Sequence, residues 1–257
     1  MRLRICCEFF QDRIYRILRD VILESRCDCI ALSGGIDTSL IALIARFSGL
    51  DLRGFISMYL GGIPRDIYYA SYLSRVLGIE LEFVPIDPLK ANEIAEKVVE
   101  CIGRDRIDSH GDGGCIEIRN DIVFYSVIEH ARRKCKCIYT GSGGDELFAG
   151  YTFMLHQRSD DLESIIERYA FKGRYPELEI AECLGARVIS PYLDKRIIDL
   201  ALEIPVECLR SSSMKGKEIL RRILEERGLE LIASREKTPA ESGSGTKIFC
   251  RSSYDQL

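Results

Sequence analysis

The chain has 257 residues, 46% of them hydrophobic, which suits one large α/β domain, or a domain with a helical appendage, and is ample for a sizeable core. Its 36 basic and 40 acidic residues are well mixed and sum to a net charge of −4, so no charged tail advertises a partner, and nucleic acid is neither indicated nor excluded. No apolar run approaches a membrane span and the N-terminus lacks the apolar region of a secretion signal, so a cytoplasmic protein with no membrane attachment is expected.

Residues Glu8 to Glu24 place Phe9, Ile14, Ile17, Leu18, Val21 and Ile22 at helical spacing, predicting an amphipathic helix ahead of the first strand. The apolar run Cys29 to Leu32 then reads as a buried strand. It ends in Ser33-Gly34-Gly35, and the helical pattern Ser39, Leu40, Leu43, Ile44, Phe47 follows at once. Two adjacent glycines let backbone amides approach a ligand, and a helix N-terminus attracts an anion, so this turn is built for phosphate. It has neither the Gly-Lys-Ser/Thr of a Walker loop nor the G-x-G-x-x-G of a dinucleotide site. Leu52 to Tyr59 and Leu81 to Ile86 read as further strands, with a helix from Asp66 to Leu77 between them and Gly78 at its C-terminal end.

A helix from Lys90 to Cys101, a polar loop from Gly103 to Gly114 and a helix from Glu117 to Arg133 lead to a fourth strand, Cys137 to Thr140. That strand runs into a second glycine-rich turn, Gly141-Ser142-Gly143-Gly144-Asp145-Glu146. In an α/β sheet, ligands bind beyond the carboxyl ends of the strands, so the two turns can face one nucleotide. Helices are predicted at Asp161–Ala170, Glu177–Leu184, Asp194–Glu203 and Lys217–Arg227. Ser242 to Thr246 reads as flexible, ordering over a ligand. Most of the eleven cysteines read as small core residues. The C-x-C pairs Cys27/Cys29 and Cys135/Cys137 lack zinc spacing, yet sit at strand starts where four sulfurs could meet.

Ser33-Gly-Gly-Ile-Asp37-Thr38-Ser39 resembles the PP-loop of ATP pyrophosphatases. Thr140-Gly-Ser-Gly-Gly-Asp145-Glu146 through Tyr151 resembles the second signature of their asparagine synthetase branch, which includes the β-lactam synthetases. Pro191-Tyr-Leu-Asp194, Lys217-Glu-Ile-Leu-Arg221 and Arg235-Glu-Lys237 follow in that family's order, so the resemblance covers residues 29 to 246. It implies a Rossmann-like α/β fold with a mainly parallel sheet, helices on both faces and a helical C-terminal part. The expected organisation is a single domain with an N-terminal helix (1–25), a nucleotide-binding core (29–150) and the helical part (151–257).

The resemblance further implies that Ser33, Gly34, Gly35, Asp37, Thr38 and Ser39 hold pyrophosphate, and that Leu32, Ser57, Thr140 and Gly141 lie along the adenosine. Asp37 and Asp145 would hold Mg²⁺, a hard cation suited to carboxylates and phosphates. Lys237, with Arg235 and Asp145, would stabilise charge at the α-phosphate of ATP. For Lys217 and Arg221, a solvent-facing helix competes with a site role. Two departures stand out. No glutaminase domain with an N-terminal nucleophilic cysteine is recognisable, so nitrogen would come from ammonia, an amine or a separate glutaminase partner. Ser142 replaces a frequent Glu, leaving Glu146, Glu241 or another group to take the proton.

The implied activity is an amide-forming ligase that adenylates a small-molecule carboxylate with ATP and Mg²⁺ and passes it to an amine or ammonia. A PP-loop enzyme of the tRNA-thiolating type and a non-catalytic nucleotide sensor are the alternatives.

Overall fold

A computed structural model describes residues 2–107, 114–210 and 215–249, with side chains from Cys6 onward. Helix α1 (Arg2–Ser25) precedes β1 (Cys29–Ala31), α2 (Ile36–Phe47), β2 (Arg53–Tyr59), α3 (Asp66–Leu77) and β3 (Glu80–Ile86). Then come α4 (Ala91–Ile102), α5 (Cys115–Ala131), β4 (Ile138–Tyr139), α6 (Ser159–Lys172), α7 (Pro176–Cys183), β5 (Val188–Ile189), α8 (Lys195–Ala201) and α9 (Glu218–Glu225). Single helical turns lie between them and are named by their residues. The five strands form one parallel sheet in the order β3-β2-β1-β4-β5. No helix among the described residues is long and apolar enough to cross a membrane.

Parallel strands carry a helix between each pair, which coats both faces of the sheet with apolar side chains. On one face Ile14, Leu18 and Ile22 of α1, Leu40, Leu43 and Ile44 of α2, and Ile219, Leu220, Ile223 and Leu224 of α9 form one core. On the other, Val98 and Ile102 of α4 pack with Ile118, Ile122 and Ile128 of α5 against Phe55 and Ile138. Each such side chain contributes about 1.5–3 kcal/mol on burial.

The chain runs from β1 outward through β2 to β3, then crosses back to place β4 on the other side of β1. That reversal leaves a crevice between the carboxyl ends of β1 and β4. The turns at 33–35 and 140–144 are the two that leave those ends, so topology alone brings the paired glycine turns together.

The cysteines correct the sequence reading. Eight form disulfides: Cys7–Cys208, Cys27–Cys137, Cys29–Cys135 and Cys101–Cys183. The C-x-C pairs do meet, because β1 and β4 are neighbours, but they close as two covalent bridges. Asp28, Cys29 and Cys135 cluster closely enough for a metal. With both sulfurs consumed and Asp28 Oδ1 accepting the Lys136 amide at 2.9 Å, no thiolate is left there to bind one.

The expected loop 103–114 contains a helical turn at Arg104–Ile107, and its residues 108–113 lie outside the described set. The C-terminal segment is a packed element rather than a flexible one: Ala240–Ser244 is helical, and Thr246 Oγ1 donates to the Arg119 carbonyl at 2.7 Å. β5 escaped notice because two residues carry no periodicity.

Candidate active site

The crevice opens into a cavity of about 1100 Å³ at the strand ends. Its phosphate end is the 33–39 turn. Gly34 has a φ of +69°, and a Cβ there would come within 2.6 Å of Tyr69 and 2.7 Å of the Ala70 amide, so only glycine fits. Ser33 Oγ accepts the Gly35 amide at 3.2 Å, which folds the turn onto the start of α2. The first amides of a helix have no partner within it, and the residues that carry them here, Ile36, Asp37 and Thr38, line the cavity.

Asp37, one residue into α2, meets the second turn. A Cβ at Gly144 would overlap the Asp37 carboxylate, and one at Gly141 would lie 2.8 Å from Asp37 Cβ; both glycines exist to let that side chain in. Tyr192 of the Pro-Tyr-Leu-Asp motif donates its hydroxyl to the Asp37 carbonyl at 3.2 Å, while Asp194 caps α8 by accepting the Arg196 amide. That motif is therefore a brace.

Four charges converge where the turns meet. Lys217 Nζ lies 2.9 Å from Asp145 Oδ1 and also pairs with Asp37; Lys237 Nζ pairs with the other oxygen of Asp145. Lys217 is only 6% exposed at its side chain, against 34% for Lys237. It sits at the positive φ of 58° and its amide donates to the Phe148 carbonyl, so the second signature and the Lys-x-x-Leu-Arg motif are joined by their backbones. Burial raises the Asp37 carboxyl despite Lys217 beside it; burial opposes ionisation of Asp145 too, but Lys217 and Lys237 together hold it below the usual carboxylate range. The same two carboxylates raise the Lys217 ammonium against the effect of its burial.

Asp37 Oδ1 is buried with no hydrogen-bond partner among the described residues. An orphaned carboxylate oxygen next to a second carboxylate and a phosphate-binding turn is a donor set that fits Mg²⁺.

Arg221 and Arg235 are held in place by oxygen acceptors of the protein itself. Arg221 donates to the carbonyls of Gly216, Ala233 and Arg235, at 2.7, 2.6 and 2.6 Å. Arg235 donates to the Ser33 carbonyl at 3.0 Å, pairs with Asp66 and lies over the Tyr69 ring. Arg235, expected to be catalytic, thus holds the phosphate turn and also lines the cavity.

Of the other residues expected to bind ATP, Leu32, Ser33, Gly35, Thr38, Ser57, Thr140 and Gly141 line the cavity, as do Asp37, Asp145 and Lys237. Gly34 lies under Tyr69 and Ser39 is fully buried behind the turn, so neither lines it.

The sequence left the proton acceptor open, and the structure brings one further carboxylate to the site. Ser142 Oγ donates to Glu177, which α7 brings in through its first turn. Glu177 is buried, and its carboxyl is raised by that burial. Glu146 accepts from the Tyr151 hydroxyl and also lines the cavity, whereas Glu241 pairs with Arg119 at 3.3 Å away from it. Glu177 and its neighbour Asp121 carry no motif, and only the fold brings them to the site.

The sequence profile of the family "Asparagine synthase" matches residues 26–179 and 179–256. The chain belongs to that family. It is 27% identical over 260 residues to the "Putative asparagine synthetase 1 (glutamine-hydrolyzing)" of Methanocaldococcus jannaschii, a match over 84% of this chain and 45% of that protein. The chain thus spans less than half the length of that relative. Among solved structures, the NMN synthetase of Francisella tularensis aligns with 91% of this chain and 98% of its own at 14% identity and a TM-score of 0.39. A predicted subunit of tRNA methyltransferase from Methanocaldococcus jannaschii aligns with 81% of this chain and 93% of its own, at 17% identity and a TM-score of 0.38.

Proposed function

We propose that this protein is an ATP-dependent ligase that adenylates a small-molecule carboxylate, releases pyrophosphate and transfers the acyl group to an amine or ammonia. The observation that carries the reading is the convergence of the 33–39 turn with Asp37, Asp145, Lys217 and Lys237 at one cavity. That cavity is at the large end for a small-molecule site and has room for a nucleotide beside a second substrate.

In this reading the amides at the start of α2 take the phosphates, with Leu32, Ser57, Thr140 and Gly141 along the adenosine. Asp37 and Asp145 would hold Mg²⁺, which when bound neutralises the departing pyrophosphate. Lys237, the more exposed ammonium, leaves Asp145 for the α-phosphate and stabilises charge as it develops there. Glu177 draws a proton through Ser142 from the attacking amine, an assignment supported by the hydrogen bond between them. No covalent enzyme intermediate is needed; the site works by positioning and electrostatics. A separate glutaminase is one source of nitrogen, and the cytoplasm, where ATP and Mg²⁺ are plentiful, is the proposed compartment.

The test is ATP and pyrophosphate exchange with the purified chain across a library of carboxylic acids. Exchange dependent on one acid class, with AMP as the nucleotide product, is expected. Formation of ADP, or nucleotide binding with no exchange for any acid, would overturn the reading.

A further inference from the structure

The Tyr151 ring, at the end of the second glycine turn, has no part in the reading above, yet it is fixed both at its tip and along its body. Its hydroxyl donates to Glu146, a carboxylate that is itself buried. It stacks with Phe153, the ring centroids 5.8 Å apart and the planes 15° from parallel, and the ring of Tyr169 on α6 lies 6.0 Å away. A tyrosine has only two side-chain torsions, so one held in this way has little freedom left. All three rings line the cavity. The Lys237 ammonium lies over the Tyr151 ring, 5.5 Å from its centroid.

Lys237 needs such a support. It carries a compact ammonium on a flexible four-carbon stem and is one-third exposed, so left to itself the charge samples many positions. Asp145 holds it in the resting site, but the reading above turns Asp145 to the metal and Lys237 to the α-phosphate. A carboxylate that kept its hold on the ammonium would compete with the phosphate for it. A ring face attracts a cation through its quadrupole while bearing no net charge, so it steadies the ammonium and still lets it turn. Arg235, two residues earlier, lies over Tyr69 at 4.2 Å, so both cations of the Arg-x-Lys motif rest on rings. We propose that Tyr151 is the positioning residue for Lys237: its face keeps the ammonium at the cavity wall while Asp145 changes partner, and the charge meets the α-phosphate without a search through solvent.

The proposal rests on the ligase reading for what the ammonium does, but the contact can be tested without turnover. Tyr151→Phe and Tyr151→Leu both lose the hydroxyl bonded to Glu146, and only the Leu variant loses the ring, so their difference isolates the ring face. NMR of the full chain labelled with ¹³C-lysine, with Lys237→Ala to assign the signal, would follow the Lys237 ε-methylene. It is expected upfield of solvated lysines and restricted in motion in the parent and in Tyr151→Phe, and at the solvated position and mobile in Tyr151→Leu. A solvated, mobile Lys237 signal in the parent, or one that Tyr151→Leu leaves unmoved, would overturn the proposal; should Tyr151→Leu not fold, the parent and Tyr151→Phe spectra still decide. With the acid that supports pyrophosphate exchange, Tyr151→Leu should lower kcat about tenfold below Tyr151→Phe, the scale of a partly desolvated ammonium on a ring, with KM for ATP changed little. In a Lys237→Ala background the two variants should turn over alike, and a difference that persisted there would mean a merely structural role and overturn the proposal. If no acid supports exchange, the ligase reading falls, and the spectra alone decide whether the ring holds Lys237.

Discussion

The two lysines at the meeting of the turns carry the same charge and face the same carboxylate, yet burial assigns them different work. Lys217 is enclosed and pairs with both Asp37 and Asp145, so removing it strands the buried Asp37 and leaves Asp145 to Lys237 alone. Lys217→Met should therefore cost about 3–5 kcal/mol of stability, read from denaturant unfolding. Lys237 is one-third exposed, and among the described residues its ion pair is with Asp145. Lys237→Ala should leave stability nearly unchanged and lower kcat by roughly two orders of magnitude or more, the scale of losing one preorganised stabiliser. Lys237→Arg should restore little, because a planar guanidinium places its charge differently. A loss of ATP affinity as large as the loss of rate would show instead that Lys237 only binds nucleotide. Asp121 offers a pH signature of its own. Burial, then Glu177 and Glu117, push its carboxyl up to about 8. The folded state thus keeps a proton that the unfolded chain loses near pH 4, and stability must fall as pH rises from about 4 to about 8. Asp121→Asn cannot lose that proton. The ligand-free variant should melt above the parent at pH 8 to 9, by on the order of a few kcal/mol, with the gap closing toward pH 4. A gap that widened in acid would refute the assignment.

Among the elements, the C-terminal segment shows how the fold prepares the phosphate turn. Gly243 lies against the Asp66 carboxylate so closely that a Cβ would overlap it. Asp66 pairs with Arg235, and Arg235 donates to the Ser33 carbonyl. Gly243→Ala should displace Asp66, release Arg235 and loosen residues 33–38. Weaker ATP binding together with faster amide exchange in that turn is the expected result; weaker binding with unchanged exchange would mean that the relay is not the cause. This chain of contacts marks the limit of what could be read from residues alone. The 33–39 and 140–151 turns were legible because a glycine pair beside a strand and a helix has few uses, and α3 was legible to its ends because Gly78 adopts the left-handed φ of 63° that stops a helix. Ser242 to Thr246 misled because small residues look the same in a hinge and in a tight contact. Arg235 lines the cavity as its motif implied, and its bonds to Asp66 and the Ser33 carbonyl add a bracing contact that no motif announced. Glu177 and Asp121 were invisible, since their positions follow from how α5 and α7 pack over β4 and from no local pattern.

At the scale of the whole molecule, the order β3-β2-β1-β4-β5 makes the site and the disulfides tie its halves together. Parallel α/β alternation announced that sheet, but no sequence pattern announced the pairing of cysteines, which depends on β1 and β4 being neighbours. Cys27–Cys137 and Cys29–Cys135 bridge the starts of those two strands, opposite the ends that bear the glycine turns. Cys7–Cys208 spans 201 residues and fastens α1 to the helical C-terminal part. Closing a loop of this length restricts the unfolded chain by about 4–5 kcal/mol in the chain-entropy account, while Cys29–Cys135, nested inside Cys27–Cys137, adds much less. Because the bridges sit away from the cavity, reduction should change stability far more than it changes ATP binding. In 6 M guanidinium, reduction should make the eight bridged cysteines newly reactive toward a thiol reagent. Thermal melts with and without reductant, run beside ATP titrations, separate the two effects. A large fall in Tm with ATP affinity nearly intact is expected while the reduced chain remains folded; loss of nucleotide binding at temperatures well below the reduced protein's Tm would show that the bridges shape the site as well as the fold.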